Sequence, residues 1–182
     1  MNSAQFLVGT LFDLYLMVVL LRLWLQLARA DFYNPFSQFV VKATHPIIAP
    51  MRRILPSIGS FDTATLVLAL IVGMLKLTVL NLLVGVAEFN FAVLFMGGVF
   101  IVVKEIFSLM FWVLVIRAIL SWVSQGNYNP IEVVLHQLTE PMLAPLRRII
   151  PPMGGLDLSI LIALIGLQFL QYLFQDLMRA FF

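Results

Sequence analysis

The sequence predicts an all-α integral membrane protein. Four transmembrane helices form two parallel tandem helix–loop–helix repeats, each with short amphipathic interfacial helices in its long loop. Three observations carry this. Of 182 residues, 62% are hydrophobic and only 11% charged, about half the charged share of a soluble domain. Four windows are long and apolar enough to span a bilayer, which takes about 20 residues each. Residues 44–56, THPIIAPMRRILP, return 95 positions on as TEPMLAPLRRIIP at 139–151.

The spans read as 4–27, 64–87, 99–122 and 159–182, with long loops at 28–63 and 123–158. Between Arg22 and Asp62, 15 of 41 positions match the residue 95 further on, without a gap. Apolar bias alone does not place Tyr-Asn-Pro and Ala-Pro-x-Arg-Arg-Ile at one shared offset. Residues 1–94 and 95–182 are therefore two copies of one unit. Two spans per unit is an even number, so both copies cross in the same direction. The N-terminal segment lacks a basic start, carries Asp13 in its apolar run and offers no small-x-small cleavage site, so it reads as a retained span. The linking stretch 88–98 is itself apolar; Gly97-Gly98 reads as a break that leaves it a short interfacial segment. Gly73, Gly85 and Gly166 are candidate points of close helix approach within a pseudo-twofold bundle.

Each loop opens on an N-cap asparagine followed by proline, Asn34-Pro35 and Asn129-Pro130, which starts a short helix. Thr44-x-Pro46 and Thr139-x-Pro141 repeat the signal for a second one. On that second helix Ile47, Ile48, Met51, Ile54 and Leu55 form one stripe, copied by Met142, Leu143, Leu146, Ile149 and Ile150. Arg52, Arg53, Arg147 and Arg148 face away from it, aimed at anionic lipid headgroups or a partner's acidic surface. An apolar face and a basic face beside a span describe a helix lying in the membrane interface. Lys and Arg concentrate in the two long loops, which places these loops in the cytoplasm and both termini outside; Arg179 counts against that orientation.

Asp62 and Asp157 precede the second span of each unit and read as N-caps. They lie at the same membrane end as Arg22 and Arg117, so Arg22–Asp62 and Arg117–Asp157 are candidate pairs tying each hairpin. Asp13 and Lys76 are the deepest charges of the first unit, at similar depth. Shifting both by 95 gives the neutral Ser108 and Gln171, as expected of a pair gained or lost together. They are read as an intramembrane ion pair, structural before functional. Lys104 and Glu105 remain open between pairing with each other and meeting a partner.

Several classes are excluded or disfavoured. The chain has no cysteine, and its two histidines, His45 and His136, make no spaced metal set. Net charge is only +2 with no basic patch, which argues against nucleic acid. No nucleophile–base spacing or phosphate-cradling glycine loop points to an enzyme, and no cofactor is expected.

The doubled pattern Y-N-P…T-x-P-x-x-A-P-x-R-R-I-x-P-x-x-G-x-x-D, which covers essentially the whole chain, resembles that of the YggT/YlmG family of bacterial membrane proteins. The resemblance implies a multi-pass inner-membrane protein linked to osmotic and potassium tolerance, to cell-division genes, or in plastid relatives to membrane-complex biogenesis. The expected role is a non-enzymatic scaffold or assembly factor whose arginine-bearing loops dock lipid or a membrane-protein partner. The alternative is a small ion-transport component working as a homo-oligomer.

Overall fold

A computed structural model describes residues 2–86, 90–123, 129–149 and 157–181. The described chain is six helices: α1 Ser3–Leu27, α2 Pro35–Met51, α3 Thr63–Leu83, α4 Phe91–Val123, α5 Pro130–Ile149 and α6 Leu158–Phe181. Four of them (α1, α3, α4 and α6) are long and apolar enough to cross a membrane. No strand is present among the described residues beyond one isolated bridge, Ile58 to Phe61.

Local chemistry explains most of the boundaries. Asn2 opens α1 with a capping box: its Oδ1 accepts from Gln5 N at 2.8 Å, and its own N–H donates to Gln5 Oε1 at 2.8 Å. Asn34 Oδ1 accepts from Phe36 N at 2.9 Å, with Pro35 in the first helical position. Asn129 repeats the cap, accepting from Ile131 N at 3.0 Å. Gly85, at φ +80°, ends the turn after α3 in a conformation that side chains rarely adopt.

Two sequence expectations are corrected. Among the described residues each loop carries one helix, not two: α2 runs through Pro46 and Pro50, and α5 through Pro141 and Pro145. The threonines read as start signals lie mid-helix and brace the turn before the proline. Thr44 Oγ1 donates to Val40 O at 2.8 Å, and Thr139 Oγ1 donates to Leu135 O at 2.7 Å. The second correction concerns Gly97-Gly98, which is no break. α4 is continuous across it for 33 residues, about 50 Å. The first residues of the proposed interfacial stretch, 88–89, lie outside the described residues.

What keeps α4 helical through two glycines is the approach of α3. A Cβ on Gly73 would sit 2.9 Å from the Gly98 carbonyl oxygen, and one on Gly98 would lie 3.2 Å from Met74 N. Backbone meets backbone here, which only glycine allows. Gly85 and Gly166 have nothing within 4 Å of such a Cβ, so neither is a contact point. Gly73→Val is therefore expected to destabilise the protein by about 1–3 kcal/mol, while Gly166→Ala is neutral or mildly stabilising. Thermal melts in detergent check this; equal melts for the two variants would refute the close-approach reading.

The packing is also less symmetric than a pseudo-twofold bundle. α1 packs on α3 and α4, and α6 packs on α4 and α5; no α1–α6 face matches the α3–α4 seam. The main core gathers Leu16, Val19, Leu20 and Leu25 of α1 with Leu68 and Val72 of α3 and Val102 and Leu109 of α4. Val40 and Ile48 of α2, and Val134 and Leu138 of α5, join it. Leu143 of α5 packs with Leu114 and Ile160 in a second cluster. Much of the loop stripe is thus spent on the protein's own spans.

Candidate functional site

The loop helices place a polar clamp at one end of each hairpin. In the second repeat it contains four charges. Arg147 donates to Asp157 Oδ2 from Nε at 2.9 Å and Nη2 at 2.6 Å, and to both Glu140 oxygens from Nη1 at 2.9 and 3.0 Å. Arg117, buried on α4 with 7% exposure, donates to Glu140 Oε2 at 3.2 Å and to Thr139 Oγ1. One carboxylate thus spans two guanidinium groups. His136 lies 3.3 Å from the same Glu140, one turn earlier.

The first repeat builds the same clamp with one carboxylate fewer. Arg52 Nη2 donates to Asp62 Oδ2 at 2.5 Å, and Asp62 caps α3 by accepting from Thr65 N and Thr65 Oγ1. Arg22, buried on α1 with 4% exposure, donates to Thr44 Oγ1 at 2.7 Å and Val41 O at 3.3 Å. Both partners are neutral.

The structure therefore assigns the arginine–aspartate contacts differently from the sequence reading. The candidate pairs Arg22–Asp62 and Arg117–Asp157 are not made; Asp62 meets Arg52, and Asp157 meets Arg147. The reason is geometric: the loop-helix arginines end directly over the N-termini of α3 and α6. The span arginines instead reach the threonine two residues before the loop proline. Arg52 and Arg147 are consequently each engaged by a carboxylate of their own repeat, although the Arg52 side chain stays 39% exposed. Arg53 and Arg148 remain exposed. The residues that sequence reasoning missed are Thr44, Thr139 and Glu140. Their signal was present, since Glu140 against His45 is the one ionisable exchange inside the repeated phrase.

Burial alone would raise the aspartates' pKa values. The hydrogen bonds and positive charge of Arg52, with Thr65, overcome this and hold Asp62 below the usual carboxylate range. Arg147 and Ser159 do the same for Asp157. For Glu140, burial is again opposed, first by the hydrogen bond from Arg117 and then by the charge of Arg147, and its pKa is lowered.

The two clamps are joined. Asn34 Nδ2 donates to Pro130 O at 2.8 Å, and Asp31 N donates to Gln137 Oε1 at 3.0 Å, so the starts of α2 and α5 are held together. Farther along the spans, Lys76 Nζ of α3 makes an ion pair with Asp13 Oδ1 of α1. Glu105 of α4 is buried, while Lys104 is exposed. No cluster that could hold a metal ion occurs among the described residues.

Two helical hairpins of spanning length, each closed by a loop helix whose arginine clamps the next span, define a multi-pass membrane protein with an internal repeat. The family model CCB3/YggT matches the chain twice, over residues 1–83 and 96–178, the same 95-residue offset as the repeated phrase. The chain belongs to the CCB3/YggT family. It is 59% identical over 178 residues to an uncharacterized protein in the proC 3′ region of Vibrio alginolyticus, covering 97% of this chain and 96% of that one. To the uncharacterized protein YggT of Escherichia coli K12 it is 50% identical over 159 residues, covering 87% and 82%. An uncharacterized protein of Pseudomonas aeruginosa is 42% identical over 173 residues, covering 94% and 88%. No solved structure matches the chain.

Proposed function

We propose that the protein is a non-enzymatic scaffold or assembly factor of the bacterial inner membrane, whose loop helices lie in the cytoplasmic interface and dock a membrane-protein partner. The observation that carries this is at the end of both loop helices. Arg53-Ile54 and Arg148-Ile149 stand exposed at one register of the repeat, with Ile54 82% and Ile149 77% exposed. An exposed isoleucine beside an exposed arginine suits a surface where apolar acyl chains meet anionic headgroups. Each such arginine adds about 1 kcal/mol of attraction to an anionic leaflet. A role in osmotic or envelope stress tolerance fits a factor that supports a membrane complex.

Crosslinking pull-downs from native membranes test this. Arg53→Gln/Arg148→Gln is expected to lose a defined membrane-protein partner, because Arg52 and Arg147 still hold the clamps. An unchanged partner set would reduce the two arginines to topology signals. One observation favours a second reading, as an oligomeric ion-transport component: Glu105 is a second buried carboxylate, on a span that packs against α1. Ion flux in liposomes that disappears with Asp13→Asn or Glu105→Gln would support it.

A further inference from the structure

We propose that the first repeat contains a binding site for a phosphate group between Arg22 and Arg52, at the place where the second repeat carries its own carboxylate, Glu140. This rests on the reading that the loop helices lie at the lipid interface. The template is internal to the chain. Arg117 and Arg147 are bridged by Glu140 at 3.2 and 2.9 Å. Their equivalents 95 residues earlier are Arg22 and Arg52, and the equivalent of Glu140 is His45.

The charges then fail to balance in one copy only. The second clamp sets Arg117 and Arg147 against Glu140 and Asp157. The first sets Arg22 and Arg52 against Asp62 alone. Arg22 is nine-tenths buried, yet among the described residues its acceptors are only a hydroxyl and a carbonyl. A buried guanidinium with no carboxylate in contact, sharing Asp62 with a second arginine, is costly, and an anion between the two forks reduces that cost. Planar arginine forks match phosphate oxygens in pairs, better than they match a point anion. Access is open on the same side: the Arg52 side chain is 39% exposed, and His45 and Lys42 are exposed. One missing carboxylate corresponds to one phosphodiester charge, so a phospholipid headgroup balances the site; free phosphate offers the same oxygens.

The test uses the full-length protein in dodecyl maltoside, a detergent without phosphate, with dioleoylphosphatidylglycerol and inorganic phosphate as separate probes. Native mass spectrometry counts retained lipid, and thermal melts report stabilisation. His45→Glu restores the chain's own carboxylate. It is expected to raise the melting temperature without ligand and to weaken probe binding at least about tenfold, the loss of one charge-assisted contact. Glu140→His is expected to open a second site. Retention of phosphatidylglycerol, with no response to inorganic phosphate, assigns the site to lipid; stabilisation by phosphate alone assigns it to the free ion. His45→Glu binding the probes as tightly as the wild type, or wild type binding neither, overturns the proposal; the second result leaves a partner's carboxylate as the counter-ion. His45→Glu keeps Arg53 and Arg148. A partner lost with Arg53→Gln/Arg148→Gln while neither probe binds therefore rejects only the phosphate site.

Discussion

Asp62→Ala is expected to cost about 2–4 kcal/mol, the largest loss from any single carboxylate of the clamps. The side chain is fully buried and does three things together: it caps α3, accepts from the Thr65 hydroxyl and pairs with Arg52. Removing it leaves a buried hydroxyl unsatisfied and the helix start uncapped. Asp157→Ala should cost less, about 1–2 kcal/mol, because that side chain is 22% exposed and Arg147 keeps Glu140. Acid should produce the same loss without mutation. The folded pKa of Asp62 is depressed, so its contribution is complete above the unfolded value near 4 and disappears as pH falls through the lower folded value. Melting curves from neutral pH to about pH 3 check both points. If Asp62→Ala melts with the wild type, the clamp is ornamental.

The second large effect lies along the spans. Asp13→Ser and Lys76→Gln, each alone, strand a charge inside the bilayer and are expected to cost about 2–4 kcal/mol. The double variant installs the neutral pair that the second repeat carries at Ser108 and Gln171, and it should recover most of the loss. A double-mutant cycle measures this directly. Costs that simply add would mean that the two charges do not stabilise one another. Recovery with unaltered partner binding would identify the pair as packing between α1 and α3, while loss of ion flux would give it a transport role.

The repeat and the four spans were legible because they rest on composition and on one exact spacing, neither of which depends on tertiary contacts. The loops were less so. Proline after Thr-x was read as a helix start because that is its commonest local meaning. Its position inside α2 and α5 depends on Arg22 and Arg117, which arrive from a different helix and take the threonine hydroxyl. Gly97-Gly98 misled in the same way: the reason for two glycines is the α3 backbone beside them, and no window of α4 alone contains it. The ionic partners were half legible. Asp13 and Lys76 could be matched by depth and by joint replacement in the other copy, and the structure brings them together. Asp62 and Arg52 could not, because depth alone does not distinguish Arg22 from Arg52.

Joining both units in one chain has a consequence that the clamps make concrete. In an assembly of two identical single units, a histidine at position 45 would appear twice, and neither clamp would own its second carboxylate. Fusion frees each half to change alone. Glu140 can keep one clamp self-sufficient while His45 leaves the other dependent on what it meets, just as Asp13 and Lys76 can be charged in one half and neutral in the other. With Asn34 bonded to Pro130 O, the self-sufficient half can serve as a fixed reference against which the dependent half responds to its surroundings.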